Sequence, residues 1–309
     1  MNTRAKEADM TATTTDAAFV GIGNMGAPMV RCLVKAGFSV TIYDVADASL
    51  APFRDMGPAI RIAGSLAETA AAAPILITML PDSAIVRRAV LGEAGGDCLA
   101  AGMKPGQLVV DMSSSFPLDT RTLGEALGVG GVGLVDAPVS GGVGKAITGT
   151  LAILAGGDDD QIERARPLLE AMGRIHKCGP LGAGHAMKAL NNYVSAAGLV
   201  ATAEALVVAE QFGLDPKTLV GVLNASTGRN NTTENKAERY MLSGAFDSGF
   251  ALALMNKDVG MARRLAEEIG LDMAELGFVS RHLETVLAAL GKGADHTAVY
   301  AFAKDAPKA

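Results

Sequence analysis

The sequence predicts an α/β fold, in which a doubly wound, mostly parallel sheet is followed by an all-helical C-terminal domain. In residues 16–179, short apolar runs alternate with helical patterns, which is typical of a parallel sheet with helices on both faces. From residue 180 to residue 309 no convincing strand pattern is present, and residues 183–212 form one long helical pattern. We therefore predict a boundary between two domains near residue 179.

The first predicted unit is a strand, a glycine turn, a helix and a second strand. Residues 17–22 form a short apolar run, and residues 25–34 carry apolar side chains at helical spacing. A second strand at 39–43 ends on Asp44. The turn has the spacing Gly-x-Gly-x-x-Gly and consists of Gly21, Ile22, Gly23, Asn24, Met25 and Gly26.

This order of elements is that of a dinucleotide-binding Rossmann unit. Gly21 permits the tight turn, Gly23 lets the backbone approach a pyrophosphate, and Gly26 lets the helix pack on the sheet. The helix start offers N–H groups and a positive dipole end to the phosphates. Asp44 can accept hydrogen bonds from the adenosine ribose and would repel a 2′-phosphate. We therefore expect NAD, with NADP possible; a glycine turn in an ordinary sheet is the alternative.

The remaining elements alternate in the same way. A Ser65–Glu68 capping box is predicted to open the second helix of the sheet domain. Further strands are predicted at 59–63, 74–80, 108–112, 133–137, 150–154 and 174–178. Further helices are predicted at 65–72, 85–91, 117–127, 158–172, 183–212, 216–225, 230–242, 250–270, 272–289 and 295–303.

Composition excludes several classes of partner. Hydrophobic residues make up 49% of the 309 residues, which is enough for a sizeable core, and the net charge of −6 argues against nucleic acid or an anionic membrane. Residues 1–15 are predicted to be a disordered tail without a signal-peptide pattern, and no apolar stretch is expected to reach membrane-spanning length. Cys32, Cys98 and Cys178 are isolated, so we expect reduced thiols in a cytoplasmic protein, without metal or disulfide.

Three polar junctions follow the ends of predicted strands, at residues 81–83, 113–115 and 140–142. Ligands bind beyond the carboxyl ends of strands in such sheets, so these junctions should line one cleft. Ser140-Gly141-Gly142 offers several backbone N–H groups and a hydroxyl, which suits a substrate carboxylate. A flexible turn without a ligand is an equal alternative.

A second polar group opens the long helix. Lys188, Asn191 and Asn192 are spaced to share one face of a largely apolar helix. Burial there would weaken the hold of Lys188 on its proton, as a general acid/base requires, and an amide one turn away can hold a hydroxyl group. The alternative is a lysine that reaches solvent beside two asparagines that cap loops.

Two further polar segments lie in the helical region. Lys257, in an apolar helix, can reach the nicotinamide ribose or the substrate acid; the alternative is a Lys257–Asp258 pair on a solvated face. The run 229–233 is interpreted as a helix start, with a specificity loop as the alternative.

Four motifs, in order along residues 17–300, resemble the β-hydroxyacid dehydrogenase family. This family includes 3-hydroxyisobutyrate dehydrogenase, tartronate semialdehyde reductase and L-threonate dehydrogenase. The motifs are the glycine turn with Pro28-Met29, Asp136-Ala137-Pro138-Val139-Ser140-Gly141-Gly142 with Gly149-Thr150-Leu151, Gly182-x-Gly184-x-x-x-Lys188-x-x-Asn191-Asn192, and Lys257-Asp258.

The resemblance implies hydride transfer between NAD and a small β-hydroxy acid such as 3-hydroxyisobutyrate or glycerate. It implies that Lys188 is the catalytic acid/base and that Asn192 orients the substrate. The matching substrate positions are Ser140, Gly141, Gly142, Asn192 and Lys257. The matching cofactor positions, beyond the glycine turn and Asp44, are Leu80, Pro81, Ser114 and Lys257; many members carry Thr where Ser114 stands.

Other activities and assemblies remain open at this point. An imine reductase of related shape is one alternative, although such enzymes usually lack a lysine at position 188. A non-catalytic NAD-binding scaffold is another, and the Lys188–Asn192 pair argues against it. The long helix, about 45 Å in length, and the Ala-rich helical region lead us to expect a homodimer or homotetramer.

Overall fold

The strands of the described residues form one sheet, and the carboxyl ends of its first six strands lie along one edge. The computed structural model describes residues 15–93 and 95–305, so the predicted tail lies, apart from Thr15, outside the described residues. The strands of the described chain are β1 (Ala17–Val20), β2 (Val40–Tyr43), β3 (Ile60–Ile62), β4 (Ile75–Thr78), β5 (Leu108–Asp111), β6 (Gly133–Asp136), β7 (Val139–Ser140), β8 (Leu151–Gly156) and β9 (Gly173–Gly179).

Strands β1 to β6 are all parallel and lie in the order β3-β2-β1-β4-β5-β6, so their carboxyl ends share one edge. Strand β8 lies antiparallel to β6 and β7, and β9 runs parallel to β8. Seven helices accompany the described strands: α1 (Gly26–Lys35), α2 (Asp47–Leu50), α3 (Leu66–Ala71), α4 (Ser83–Leu91), α5 (Pro117–Val129), α6 (Gly142–Thr148) and α7 (Asp159–Met172). The predicted α/β class with a mostly parallel sheet is confirmed.

After β9 the described chain is helical, apart from loops and a single bridge between Ala251 and Asp295. The helices are α8 (Ala183–Phe212), α9 (Pro216–Ala225), α10 (Asn231–Asn235), α11 (Leu252–Glu268), α12 (Ala274–Leu290) and α13 (Val299–Lys304). A π-helical segment, Ala237–Leu242, follows α10. The division into two folding domains at residue 179 stays a prediction.

The apolar residues separate into three clusters. Along β1, Ala17 and Phe19 face one cluster while Ala18 and Val20 face another, so the sheet has a core on each side. A third cluster is built from the C-terminal helices around α8 and α11. This arrangement leaves the carboxyl edge of the sheet next to the start of α8, where polar residues collect.

Local capping explains several helix starts. The Ser65 side chain accepts a hydrogen bond from the N–H of Glu68 at 3.0 Å, as predicted. The box is only half formed, because the Glu68 carboxylate accepts from the N–H of Gly64 at 2.7 Å and not from Ser65. Asp82 caps α4 in the same way, through the N–H of Ile85.

Some sequence-based expectations differ from the structure. The predicted helix 230–242 is an α-helix over Asn231–Asn235 followed by a π-helix over Ala237–Leu242. Strand β7 and helix α6 were not predicted, because the segment 139–149 is short and rich in glycine, which gives it low propensity for either structure. Helix α8 is long and apolar enough to cross a membrane by length and composition, contrary to the expectation that no stretch is. In the structure, 44% of the most apolar 18-residue stretch of α8 is buried inside the protein. The helix packs at the centre of the C-terminal helices.

Candidate active site

The glycine turn after β1 is shaped by backbone crowding. Gly21 has a φ of +98°, and a Cβ there would lie 2.3 Å from the carbonyl oxygen of Met79. A Cβ on Gly26 would lie 1.9 Å from the carbonyl oxygen of Gly21. Gly23 is different, because it is exposed and a Cβ there would meet nothing within 4 Å. Backbone crowding therefore requires glycine at 21 and 26, whereas no contact within the described residues requires it at 23.

The surroundings of this turn fit a dinucleotide. Among the described residues no side chain caps the start of α1, and Asn24 and Met25 lie at least partly exposed in front of it. N–H groups therefore face outward at the positive end of the helix dipole. At the end of β2 the Asp44 carboxylate accepts hydrogen bonds from the N–H groups of Ile22 at 2.7 Å and Ala46 at 2.8 Å. These bonds hold the carboxylate beside the turn and leave lone pairs for ribose hydroxyls.

Substitution of the two glycines should separate folding from cofactor binding. Gly23→Ala adds a methyl group where the protein has space, so we expect normal thermal stability and NADH binding weakened at least tenfold, because the methyl group occupies the approach to the pyrophosphate. Gly26→Ala serves as the matched control and should lower the melting temperature. NADH fluorescence titration and thermal unfolding of both variants measure this; unchanged binding by the Gly23 variant would contradict the placement.

Polar side chains end three neighbouring strands of the sheet. Thr78, Asp111 and Asp136 are paired in register across β4, β5 and β6, and all three are buried. The Thr78 hydroxyl donates to Asp111 at 2.9 Å, and Asp111 also accepts from Ser115 Oγ at 2.7 Å and from the N–H of Ser113 at 3.0 Å. The carboxyl edge of the sheet is therefore a buried, hydrogen-bonded polar row.

Asp136 joins the second and third sequence motifs. Its two carboxylate oxygens accept from the N–H groups of Gly182 and His185, each at 2.7 Å, so it caps the start of α8. Burial raises the pKa of Asp136, and these bonds together with the nearby His185 oppose that rise. A Cβ on Gly184 would lie 2.0 Å from the carbonyl oxygen of Leu154. The Gly182-x-Gly184 spacing thus lets α8 begin directly against the sheet edge.

One turn further along α8, Lys188 and Asn192 are buried side by side on the helix. Only 9% of Lys188 and 7% of Asn192 is exposed. Burial lowers the pKa of Lys188; the charge of Asp258 acts against this shift, and the like charge of Lys257 adds to it. Asn191, which was expected on the same face, is exposed and donates to the side-chain oxygen of Asn192 at 3.1 Å.

Asp258 completes this group from helix α11. It is 2% exposed, and one of its oxygens accepts from the Asn192 amide at 2.5 Å. Its other oxygen is buried without a hydrogen-bond partner among the described residues and lies 3.8 Å from the Lys257 amine. The alternative of a Lys257–Asp258 pair on a solvated face is therefore wrong.

Lys257 connects α11 to the sheet. Its amine donates to the carbonyl oxygens of Pro81 at 2.8 Å and Ser114 at 3.1 Å. Leu80, on the same junction as Pro81, donates its N–H to the Ser113 hydroxyl at 2.8 Å. The junctions at 81–83 and 113–115 thus meet in one place, facing α11, as the sequence predicted.

The third predicted junction lies beyond β6. Ser140 ends β7 and is partly buried, while Gly141 and Gly142 are exposed at the start of α6 with φ values of +129° and +67°. Ser140 pairs with Ala152 of β8, whereas Gly141 and Gly142 lie outside the strand pairing, so the turn without a ligand stays the alternative interpretation. No hydrogen bond joins it directly to Lys188 or Lys257 within residues 15–93 and 95–305. Its part in substrate binding stays a prediction.

The run 229–233 is a helix start, as predicted. The Asn230 side chain accepts from the N–H groups of Thr232 and Thr233, and the Thr233 hydroxyl accepts from the Asn230 N–H at 3.0 Å. This reciprocal capping box opens α10.

Three buried titratable residues of this region were not identified as site residues from the sequence: Asp111, His185 and Asp258. For Asp111 a signal exists, because it ends a buried apolar strand in the same way as Asp136. For His185 and Asp258 the burial depends on packing between segments far apart in the chain, which spacing alone does not reveal.

Two family models cover almost all of the described chain. Residues 16–182 match the NAD binding domain of 6-phosphogluconate dehydrogenase, and residues 182–303 match the NAD-binding region of NADP-dependent 3-hydroxyisobutyrate dehydrogenase. Both matches concern cofactor-binding proteins, in agreement with the fit of the glycine turn.

Curated proteins and solved structures give the same family. The chain is 36% identical to 2-(hydroxymethyl)glutarate dehydrogenase of Eubacterium barkeri, over 81% of this chain and 82% of that protein. It is 37% identical to the NAD-dependent L-serine dehydrogenase of Pseudomonas aeruginosa, over 81% of this chain and 85% of that protein. The structure of Mycobacterium tuberculosis 3-hydroxyisobutyrate dehydrogenase with L-serine matches with a TM-score of 0.85 and 35% identity, covering 94% of this chain and 99% of that one. The chain therefore belongs to the β-hydroxyacid dehydrogenase family and is an oxidoreductase of CH–OH donors that uses NAD or NADP.

Proposed function

We propose that this enzyme oxidises the hydroxyl group of a small 3-hydroxy carboxylic acid reversibly, with Lys188 as the general acid/base. The observation that carries the proposal is a buried lysine of lowered pKa beside an asparagine that a buried aspartate holds in place. A lowered pKa makes the neutral amine easier to form, so the group is suited to take a proton as well as give one.

Each residue has a separate task. In oxidation the neutral amine of Lys188 accepts the hydroxyl proton, and in reduction its ammonium returns that proton to the carbonyl oxygen. The Asn192 amide, oriented by Asp258, holds the reacting oxygen beside Lys188. When bound, the nicotinamide ring supplies the hydride acceptor or donor. Lys257 holds the junctions 81–83 and 113–115 together where that ring would lie.

The acid group of the substrate is assigned to Ser140, Gly141 and Gly142. Two exposed glycines at a helix start present backbone N–H groups, and the serine adds a hydroxyl donor. The relatives named above act on or are bound to compounds that carry a hydroxymethyl group and a carboxylate, which supports 3-hydroxyisobutyrate or L-serine as the substrate type.

NAD is proposed as the preferred cofactor. The Asp44 carboxylate stands at the end of β2 beside the glycine turn, where it would accept ribose hydroxyls and repel a 2′-phosphate. Val45, 91% exposed, follows it and offers no positive charge to a phosphate.

The test is an absorbance assay at 340 nm with NAD⁺ and, separately, NADP⁺. The panel comprises 3-hydroxyisobutyrate, L-serine, D-glycerate, L-threonate and 3-hydroxypropionate. We expect turnover with NAD⁺ on the first two acids. Turnover with NADP⁺ alone would refute the role of Asp44. No turnover on any acid, with NADH binding intact, would favour a carbonyl or imine substrate or a non-catalytic scaffold.

We also propose that the chain assembles as a homodimer or homotetramer through α8. Apolar side chains on the outer side of this helix, each at least 44% exposed, form a stripe along it: Met187, Leu190, Val194, Val208 and Phe212. Light scattering should give a mass of two or four chains for the native protein and one chain for Val194→Glu. A native protein of one chain would contradict the proposal.

The cytoplasm is the proposed compartment. Cys32, Cys98 and Cys178 are all free thiols, as expected where thiols stay reduced. Cell fractionation with an antibody against the chain tests this location.

A further inference from the structure

His185 is a fully buried imidazole that the catalytic scheme above does not use. It lies in the first turn of α8, three residues before Lys188, and is 1% exposed. Its Nε2 is 3.1 Å from the carbonyl oxygen of Ser113, and its Nδ1 is 2.9 Å from the hydroxyl of Thr120 on α5. The ring therefore contacts both the junction that carries Ser114 and the helix that follows it.

The partners of the ring determine where its hydrogen lies. A carbonyl oxygen can only accept, so Nε2 carries a hydrogen and donates it to Ser113. The Thr120 hydroxyl can donate or accept, so it suits either state of Nδ1. Two buried carboxylates flank the ring: Asp111 lies 3.7 Å from Nε2 and Asp136 3.6 Å from Nδ1. The position of the Ser113 carbonyl, 3.1 Å from Nε2, therefore places a hydrogen on this nitrogen.

The junction that receives this hydrogen bond is tied to the cofactor side of the cleft. The Ser113 hydroxyl accepts from the N–H of Leu80, and the Ser114 carbonyl accepts from Lys257. In the other direction, the N–H of His185 is fixed by Asp136, so the ring is anchored at the start of α8. His185 is therefore a direct side-chain link between the helix of Lys188 and the junction of Ser114.

We propose that His185 is a positioning residue that fixes the junction 113–115 relative to the first turn of α8. Without the Nε2–H donor, the buried Ser113 carbonyl loses its partner and the junction shifts, which moves Ser114 away from the place of the nicotinamide. The consequence falls mainly on cofactor binding, because Lys188 keeps its own surroundings of Asn192 and Asp258. The inference rests on the proposed cofactor role of Ser114.

Two amide variants separate the bonds of the ring. In His185→Gln, the side-chain nitrogen takes the place of Nε2 and still donates to Ser113. In His185→Asn, the nitrogen takes the place of Nδ1, so the bond to Thr120 remains and the bond to Ser113 is lost. We expect His185→Asn to raise the Kd for NADH and the KM for NAD⁺ roughly tenfold with a smaller change in kcat, whereas His185→Gln stays within about twofold of the native enzyme.

The NADH titration does not depend on turnover, so it decides the inference even if no acid in the panel is oxidised. Native NADH affinity in both variants would overturn the proposal. An equal loss of NADH affinity in both variants would also overturn it, because a purely structural role does not depend on which nitrogen remains. Should His185→Asn fail to fold, the ¹⁵N spectrum of the native imidazole decides. A hydrogen on Nε2 supports the proposal, and a ring with hydrogen only on Nδ1 refutes it.

Discussion

Replacement of Lys188 by Met is expected to lower kcat by roughly 10²–10⁴-fold while NADH still binds. The amine is the proton carrier of the proposed scheme, and methionine fills similar volume without a titrating group. The native pKa of Lys188 is lowered by burial, so the folded protein holds this proton less firmly than the unfolded chain. At pH values below the pKa of the unfolded lysine, the lowered pKa in the folded state reduces the free energy of unfolding. Lys188→Met removes this destabilising effect. We therefore expect activity loss without a lower melting temperature at neutral pH.

Lys188→Arg is the matched control for the charge. Arginine keeps the positive charge but does not release its proton, so it should be as inactive as Lys188→Met if proton transfer is the function of the residue. Steady-state kinetics at 340 nm, with NADH titration of each variant, measures this. Near-native turnover in either variant would remove Lys188 from the proposed role.

Replacement of Asp258 by Ala is expected to lower kcat about 10–100-fold. The buried Asn192 amide would lose the acceptor that lies 2.5 Å away, and an unsatisfied buried group of this kind costs about 1–3 kcal/mol. The loss should appear mainly in kcat, because Asn192 is assigned to the reacting oxygen. A variant with native kcat would show that Asp258 does not hold the asparagine for catalysis.

Asp258→Asn separates the charge of this residue from its hydrogen bond. The new side-chain oxygen can still accept from Asn192, but the negative charge that raises the pKa of Lys188 is gone. That pKa should therefore fall further below its usual value. Oxidation needs the neutral amine, so the acidic limb of its pH–rate profile should move to lower pH, while kcat on the plateau changes little. A limb that stays in place, or moves to higher pH, would contradict the electrostatic account.

The sequence predicted those parts of the fold and site that depend on local pattern. The glycine turn, its strand and helix, and Asp44 lie within about 30 residues, where spacing and backbone geometry are enough to interpret them. The meeting of junctions 81–83 and 113–115 followed from a general property of parallel sheets. The lowered pKa of Lys188 agrees with the expectation from local pattern, because apolar neighbours at helical spacing indicate burial.

Features that depend on contacts between distant segments could not be predicted in this way. Asp258 is buried because α11 packs against α8, although its neighbour Lys257 suggested a solvated pair. Asp136 caps a helix that begins 47 residues later, at Ala183. Helix α6 was missed because its stability comes from packing on α1, where Cys32 contacts the Ala146 carbonyl at 3.3 Å, and not from the propensity of a glycine-rich segment.

The most direct test of the central claim is a crystal structure of the enzyme with NAD⁺ and a bound 3-hydroxy acid. The account predicts the pyrophosphate over Gly23 at the start of α1, the nicotinamide beside Ser114, and the substrate hydroxyl within about 3.2 Å of both the Lys188 amine and the Asn192 amide. A substrate hydroxyl held by other residues, with Lys188 out of hydrogen-bond reach, would contradict it.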